Sequence, residues 1–147
     1  MTNIELAELY QRDIEKLITE IDLFKNEENL WKTTGSIRNS SGNLVLHIIG
    51  GLSFHIGATL ANTNYIRHRD REFIIKGTPR KSLTDQLRAL ISLIKEAILS
   101  MSKERLNEPH PKFFDKENAT ISYVLTQLLL HLNYHTGQVN YLRRALE

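Results

Sequence analysis

Apolar residues recur at three- and four-residue steps from Ile4 through Ala7, Tyr10, Ile14, Leu17 and Ile21 to Phe24, the period of one face of an α-helix. A first helix is predicted over that span. The stretch NEENLWKTTGSIRNSSG that follows is polar and holds Gly35 and Gly42. It predicts a change of direction, with Ser40 or Ser41 placed to cap the next helix. Trp31 and Phe24 read as core or loop-packing aromatics. A second helix is predicted from Asn43 to Leu60, with Leu44, His47, Gly51, Phe54 and Ala58 on its apolar face. Glycine costs a helix about 1 kcal/mol relative to alanine, so the pair Gly50–Gly51 predicts close approach of a neighbouring helix or a ligand.

The segment NTNYIRHRDREFIIKGTPRK is a connector dense in charge that ends at Gly77 and Pro79. Ser82 with Asp85 three residues on resembles a capping box with the shorter acid. It opens a third predicted helix with the stripe Leu83, Leu87, Leu90, Ile94, Ala97 and Met101. NEPHPKFFDKEN contains two prolines and cannot continue a helix,; Thr120 then caps a fourth helix that reads Val124, Leu128, His131, His135, Gln138, Leu142,. No segment alternates with the period of a strand. Four amphipathic helices, each about 30 Å long for roughly 20 residues, predict an all-α four-helix bundle forming a single domain over residues 1–147. The connectors exceed what an idealised bundle needs, and long loops are where pocket walls are usually built.

A chain of 147 residues that is 41% hydrophobic suffices for one core,. Its net charge of +2 comes from interspersed acids and bases. No concentrated basic face suited to phosphate backbones is present, and nucleic acid is not an expected partner. The absence of cysteine excludes disulfides, thiolate nucleophiles and Cys-ligated metal centres, so any metal must be held by His, Asp or Glu,. Charges interrupt every apolar run of MTNIELAELYQRDIEKLITEI. Neither a secretory core nor a membrane span can be drawn there, and a cytoplasmic location without a membrane partner is the expectation.

His131 and His135 are four residues apart and stack one turn from each other on a helix, close enough to chelate one ion. They continue an apolar stripe, so they are expected to point into the core, as is His47 on the second helix. If the second and fourth helices run antiparallel, the three meet. Buried neutral imidazoles need partners for both nitrogens, and a metal supplies one for each ring. Three His ligands leave positions open, as catalytic sites do, and imidazole suits Zn, Ni, Cu or Fe alike. His55 lies about 80° around the helix from His47 in α geometry and reads as packing or pocket-lining. His68 and His110 fall in connectors and read as solvated, with His68 a further pocket candidate. Arg67, Arg69 and Arg71 form either a solvated charge run or a contact for a carboxylate or phosphate. Asn43 and Gln138 are candidates to orient rings or brace loops, or else serve as a cap and an interhelical contact. Leu132 stands where a zincin helix has its glutamate, and Leu44, Leu128 and Leu132 stand where a di-iron bundle has its own,. A mononuclear site is therefore expected, with no built-in general base.

The strings GNLVLHIIGGL, ATLANTNYIRHRDREF and LLLHLNYHTGQVNYL, with NxxxH from Asn43 to His47 and HxxxHxGQ from His131 to Gln138, resemble the DinB-like superfamily of four-helix-bundle metalloproteins, and within it a bacterial subgroup without assigned function. The resemblance covers nearly the whole chain. It implies a triad of His47, His131 and His135 binding one divalent transition metal, zinc, nickel or a similar ion, in a homodimer. Relatives with assigned activity include S-transferases and an isomerase that use low-molecular-weight thiols, and others carry the label hydrolase. The implied function is metal-dependent activation of a small thiol or water against a small-molecule substrate; the alternative is a non-catalytic metal-binding or dimeric scaffold protein.

Overall fold

The computed structural model describes residues 1–147 and contains helices and connectors without a strand. Helix α1 spans Asn3–Asp22, opened by a reciprocal capping box in which the Thr2 hydroxyl accepts from the Glu5 N–H and the Glu5 carboxylate accepts from the Thr2 N–H,. After a 3-10 turn at Glu27–Trp31, α2 runs over Ser41–Leu52 and continues as a π-helical turn over Ser53–Ala58. Ser40 is its cap, accepting from the Asn43 N–H at 3.2 Å. A second 3-10 turn, Arg69–Phe73, precedes α3, Arg80–Leu99; α4 is the single turn Lys103–Leu106; and α5 spans Ile121–Leu146, capped by Thr120. The four predicted helices are α1, α2 with its π extension, α3 and α5.

The start of α3 departs from expectation. Pro79, its φ of −56° set by the ring, stands at the N-cap, and the helix begins two residues before Ser82,. Its first N–H, from Arg80, is met by the Glu27 carboxylate at 3.1 Å, so a distant side chain replaces the local cap,. Ser82 and Asp85 instead receive Gln86 and Lys81.

Contacts between helix ends fix the topology. Asn3 donates to the carbonyls of Ile98 and Met101, and Arg80 to those of Asp22 and Phe24, so α1 and α3 are antiparallel. Tyr10 donates to the Leu125 carbonyl and Asn140 to Glu20, so α1 and α5 run the same way. Helix α2 runs against α5, because His47 meets His131 near the middle of α5 while Phe54 and His55, further along the second helix, share a cavity with the earlier Gln127 and Leu128. The order is thus up, down, down, up. Two consecutive helices in the same direction force the chain between them to travel back along the bundle, which explains the long crossover from Thr59 to Pro79.

A continuous core fills the centre. It includes Tyr10, Ile14, Leu17 and Ile21 from α1, Val45 and Ile48 from α2, Leu83, Leu87 and Ile94 from α3, and Val124, Leu125 and Leu132 from α5. Ile4, counted in the first stripe, lies outside it and is exposed. Phe24 is buried, and the Trp31 ring covers Gly42, as expected of loop-packing aromatics. No helix is long and apolar enough to cross a membrane.

Candidate metal centre

The antiparallel passage of α2 against α5 brings the three predicted histidines together. His47 Nε2 lies 3.2 Å from His131 Nε2, and His131 Nε2 lies 2.9 Å from His135 Nε2. The three rings offer nitrogens that all lie within 4.8 Å of one another. Ligands about 2.0–2.1 Å from one ion at tetrahedral angles sit about 3.3 Å apart, so the spacing suits a single ion. The position of the cluster corrects the expectation of a site inside the core. His47 is buried, but His131 and His135 are only half-buried. The side chains that α5 sends inward are their neighbours Leu128, Leu132, Thr136 and Val139.

Two acceptors set the protons. The Glu72 carboxylate lies 3.0 Å from His47 Nδ1 and the Gln138 amide oxygen 2.6 Å from His135 Nδ1. A carboxylate only accepts, so Nδ1 of His47 carries its proton; the Gln138 oxygen assigns the same tautomer to His135. Both rings then present Nε2 lone pairs towards His131. Converging lone pairs without enough protons to bridge them repel, and a shared cation relieves this. The donor set therefore fits a divalent transition ion. Burial, reinforced by the positive charge of His135, His47, Arg67 and Arg69, pulls the His131 pKa down to about 4. His135 is also lowered, chiefly by burial, against the opposing hydrogen bond to Gln138. Both shifts favour the neutral imidazole, the form a metal requires,.

Sequence reasoning missed Glu72. It sits in the 3-10 turn of the crossover, 6% exposed, and Arg67 grips it with Nε on Oε2 and Nη2 on Oε1, both at 2.9 Å. Burial pushes the Glu72 carboxyl up, but the hydrogen bonds from His47 and Arg67 and their charge outweigh this and leave it below the usual carboxylate range. The close approach predicted at the paired glycines is Glu72 itself: a Cβ on Gly50 would stand 1.8 Å from Oε2. The available signal was the apolar run Phe73–Ile75 directly after Glu72 inside a charged connector. Asn43 braces the same turn, its amide donating to the carbonyls of Glu72 and Ile75 at 2.9 and 2.7 Å while its oxygen accepts from Ser40 and Lys76.

A cavity of about 740 Å³ opens beside the triad, with His47 and His131 in its wall. Of the arginines proposed for substrate contact, Arg67 lines it but is committed to Glu72, and Arg69 lines it. Arg71 and His68 are exposed and do not line it, because the 3-10 turn directs them elsewhere, with the His68 carbonyl accepting from the Arg71 N–H. His55 does line the cavity. A π turn holds an extra residue and rotates less per residue than an α turn, which moves His55 towards the face of His47. His110 is not the solvated loop residue expected: it is 5% exposed, and its Nε2 donates to the His55 carbonyl at 2.9 Å. Burial, then the charges of His110 and Arg67, lowers His55 to about 4.

Comparison with known proteins places this geometry in a family. The profile of the family described as "Protein of unknown function (DUF1572)" matches residues 3–147, and the chain belongs to that family. No curated protein matches it. Among solved structures it is similar to a conserved protein from Enterococcus faecalis, with a TM-score of 0.76 and 19% identity over 98% of this chain and 96% of the other. At that identity the likeness concerns the fold.

Proposed function

We propose that this DUF1572 member is a mononuclear metalloprotein of the DinB-like superfamily, holding one divalent transition ion, zinc or nickel, on His47, His131 and His135, and that it is a metal-dependent enzyme acting on a small molecule. The observation that carries this reading is the convergence of three imidazole nitrogens, with the outer protons of two rings tied to Glu72 and Gln138. An ion held there supplies acidification of a small thiol or water as nucleophile, for transfer or hydrolysis. The chain itself contributes orientation. Glu72 and Gln138 fix two rings, Arg67 fixes Glu72, and Asn43 ties down the turn that carries it. Leu132 standing where a zincin helix has its glutamate favours a thiol, which needs no adjacent base once it is acidified,. A homodimer in the cytoplasm, with no membrane or nucleic-acid partner, completes the proposal.

Metal analysis of protein purified without added metal tests the binding, together with the three single alanine variants. One equivalent of metal, lost in each variant, is expected; metal content unchanged by all three substitutions refutes the site. A panel of small thiols and model electrophiles then tests turnover. Stoichiometric metal without activity across the panel makes the protein a non-catalytic metal binder.

A further inference from the structure

The cavity beside the triad has a chemistry of its own. Arg67 is neutralised by Glu72, but Arg69 and Lys112, which also line the cavity, have no carboxylate within ion-pair distance; Arg69 rests over the Phe73 ring, 5.6 Å from its centre. The one acid in the lining, Asp115, is exposed at the mouth. Together these three leave a single net positive charge, which matches a monoanion better than a dianionic phosphate. The triad side of the wall carries His47, His55, His131 and Gln127, and the side facing the opening is mostly apolar. Phe54 and Phe113 stand deeper, while Phe114 at 85%, Ile66 at 74% and Tyr65 at 38% are exposed at the rim. Large exposed apolar side chains gathered around one opening mark a binding surface. They come from two separate segments, the α2–α3 crossover and the loop before α5, which face each other across the mouth.

We infer that this cavity binds a small organic carboxylate with an apolar body, its charge held by Arg69 and Lys112 and its body lying between Tyr65, Phe113 and Phe114. That the bound molecule is a substrate rests on the metal reading above; the binding itself does not. Held by its carboxylate at the charged rim, such a molecule extends along the aromatic wall towards His47 and His131.

Ligand-observed NMR titrations with 4-phenylbutyrate, 4-phenylbutanol and butyrate test this, on metal-stripped and zinc-loaded protein. The stripped protein is expected to bind 4-phenylbutyrate at least about tenfold tighter than the alcohol, the size of one charge-assisted contact, and at least about tenfold tighter than butyrate, which lacks the ring to bury. The double substitution Arg69→Gln/Lys112→Gln is expected to abolish the preference over the alcohol without weakening the alcohol. Phe114→Ala is expected to weaken both phenyl compounds. Equal binding of acid and alcohol, a preference that survives the double substitution, or no binding at all overturns the inference. Acid binding that needs zinc and disappears in His131→Ala also overturns it, by placing the carboxylate on the ion, while leaving the metal reading intact. Failure to take up zinc with the preference preserved removes the metal reading and leaves the cavity assignment standing.

Discussion

Replacing Gly50 by alanine puts a methyl group where the Glu72 carboxylate lies, 1.8 Å from Oε2 and 2.6 Å from Cδ. The carboxylate must retreat beyond 3.0 Å, and it cannot do so freely, because Arg67 holds both of its oxygens and His47 Nδ1 shares Oε1. Two effects on folding then oppose each other. Alanine favours the helix by about 1 kcal/mol over glycine, and disturbing a buried, charge-assisted contact costs about 1–3 kcal/mol. Net stability of the metal-free protein is expected to change little. Metal affinity has no such compensation: losing the partner that orients a ligand histidine weakens binding by about 10–100-fold, or roughly 1.4–2.7 kcal/mol. Gly51→Ala is the matched control, since its Cβ would meet only Arg67 Nη2 at 3.7 Å, an ordinary contact. Competition with a chromophoric zinc chelator at neutral pH reads the affinities, and thermal unfolding reads the fold. Wild-type affinity in Gly50→Ala, or equal losses in both variants, would show that Glu72 does not position His47.

Glu72→Gln leaves the largely buried Arg67 without its counter-charge, and about 3 kcal/mol of stability should be lost, roughly a 10 °C fall in melting temperature,; adding Arg67→Met should recover part of it, and an additive double variant would argue against the pair. Ser40→Ala removes both a helix cap and the hydroxyl that donates to Asn43 Oδ1 at 2.6 Å, so it should lower stability by about 1 kcal/mol, and also weaken zinc binding. Thr120→Ala, a cap remote from the crossover, should affect stability alone; a loss of zinc affinity in that variant would contradict the distinction. His55 titrates near 4 in the folded chain and near 6.5 once unfolded. Between those values the unfolded chain holds a proton that the native state lacks, so stability present above pH 6.5 is lost as pH falls towards 4. His55→Phe should flatten that decline in urea unfolding of the metal-free protein, and an unchanged slope would rule out this contribution.

The helices were legible because each apolar stripe has a fixed period, and the triad was legible because His131 and His135 stack on one helix while His47 interrupts the stripe of another. The remainder depended on tertiary structure. Glu27 capping α3 from 53 residues away has no local signature, so the box at Ser82 was the natural but mistaken reading. Glu72 was hidden in a charged connector, since nothing local distinguishes a buried acid from a solvated one; only the crossover, forced by two helices running in one direction, lays it against Gly50. His55 was placed with α geometry, and the π turn moved it. His110 is buried by an isolated backbone pairing of Pro109 with Thr120 and by its bond to His55, contacts that proline-rich sequence does not announce.

No residue of α1 or α3 supplies the triad, supports Glu72 or lines the cavity; every such group comes from α2, the crossover, the loop before α5, or α5 itself. The molecule has a division of labour, in which one antiparallel pair is a buttress and the other carries the chemistry. A buttress has to keep an apolar face of suitable volume, a requirement many sequences meet, and a few polar contacts such as those of Asn3, Tyr10 and Glu20. Divergence within the family should therefore accumulate in the first and third helices, while new specificities arise by editing two loops that rest on a scaffold indifferent to the change.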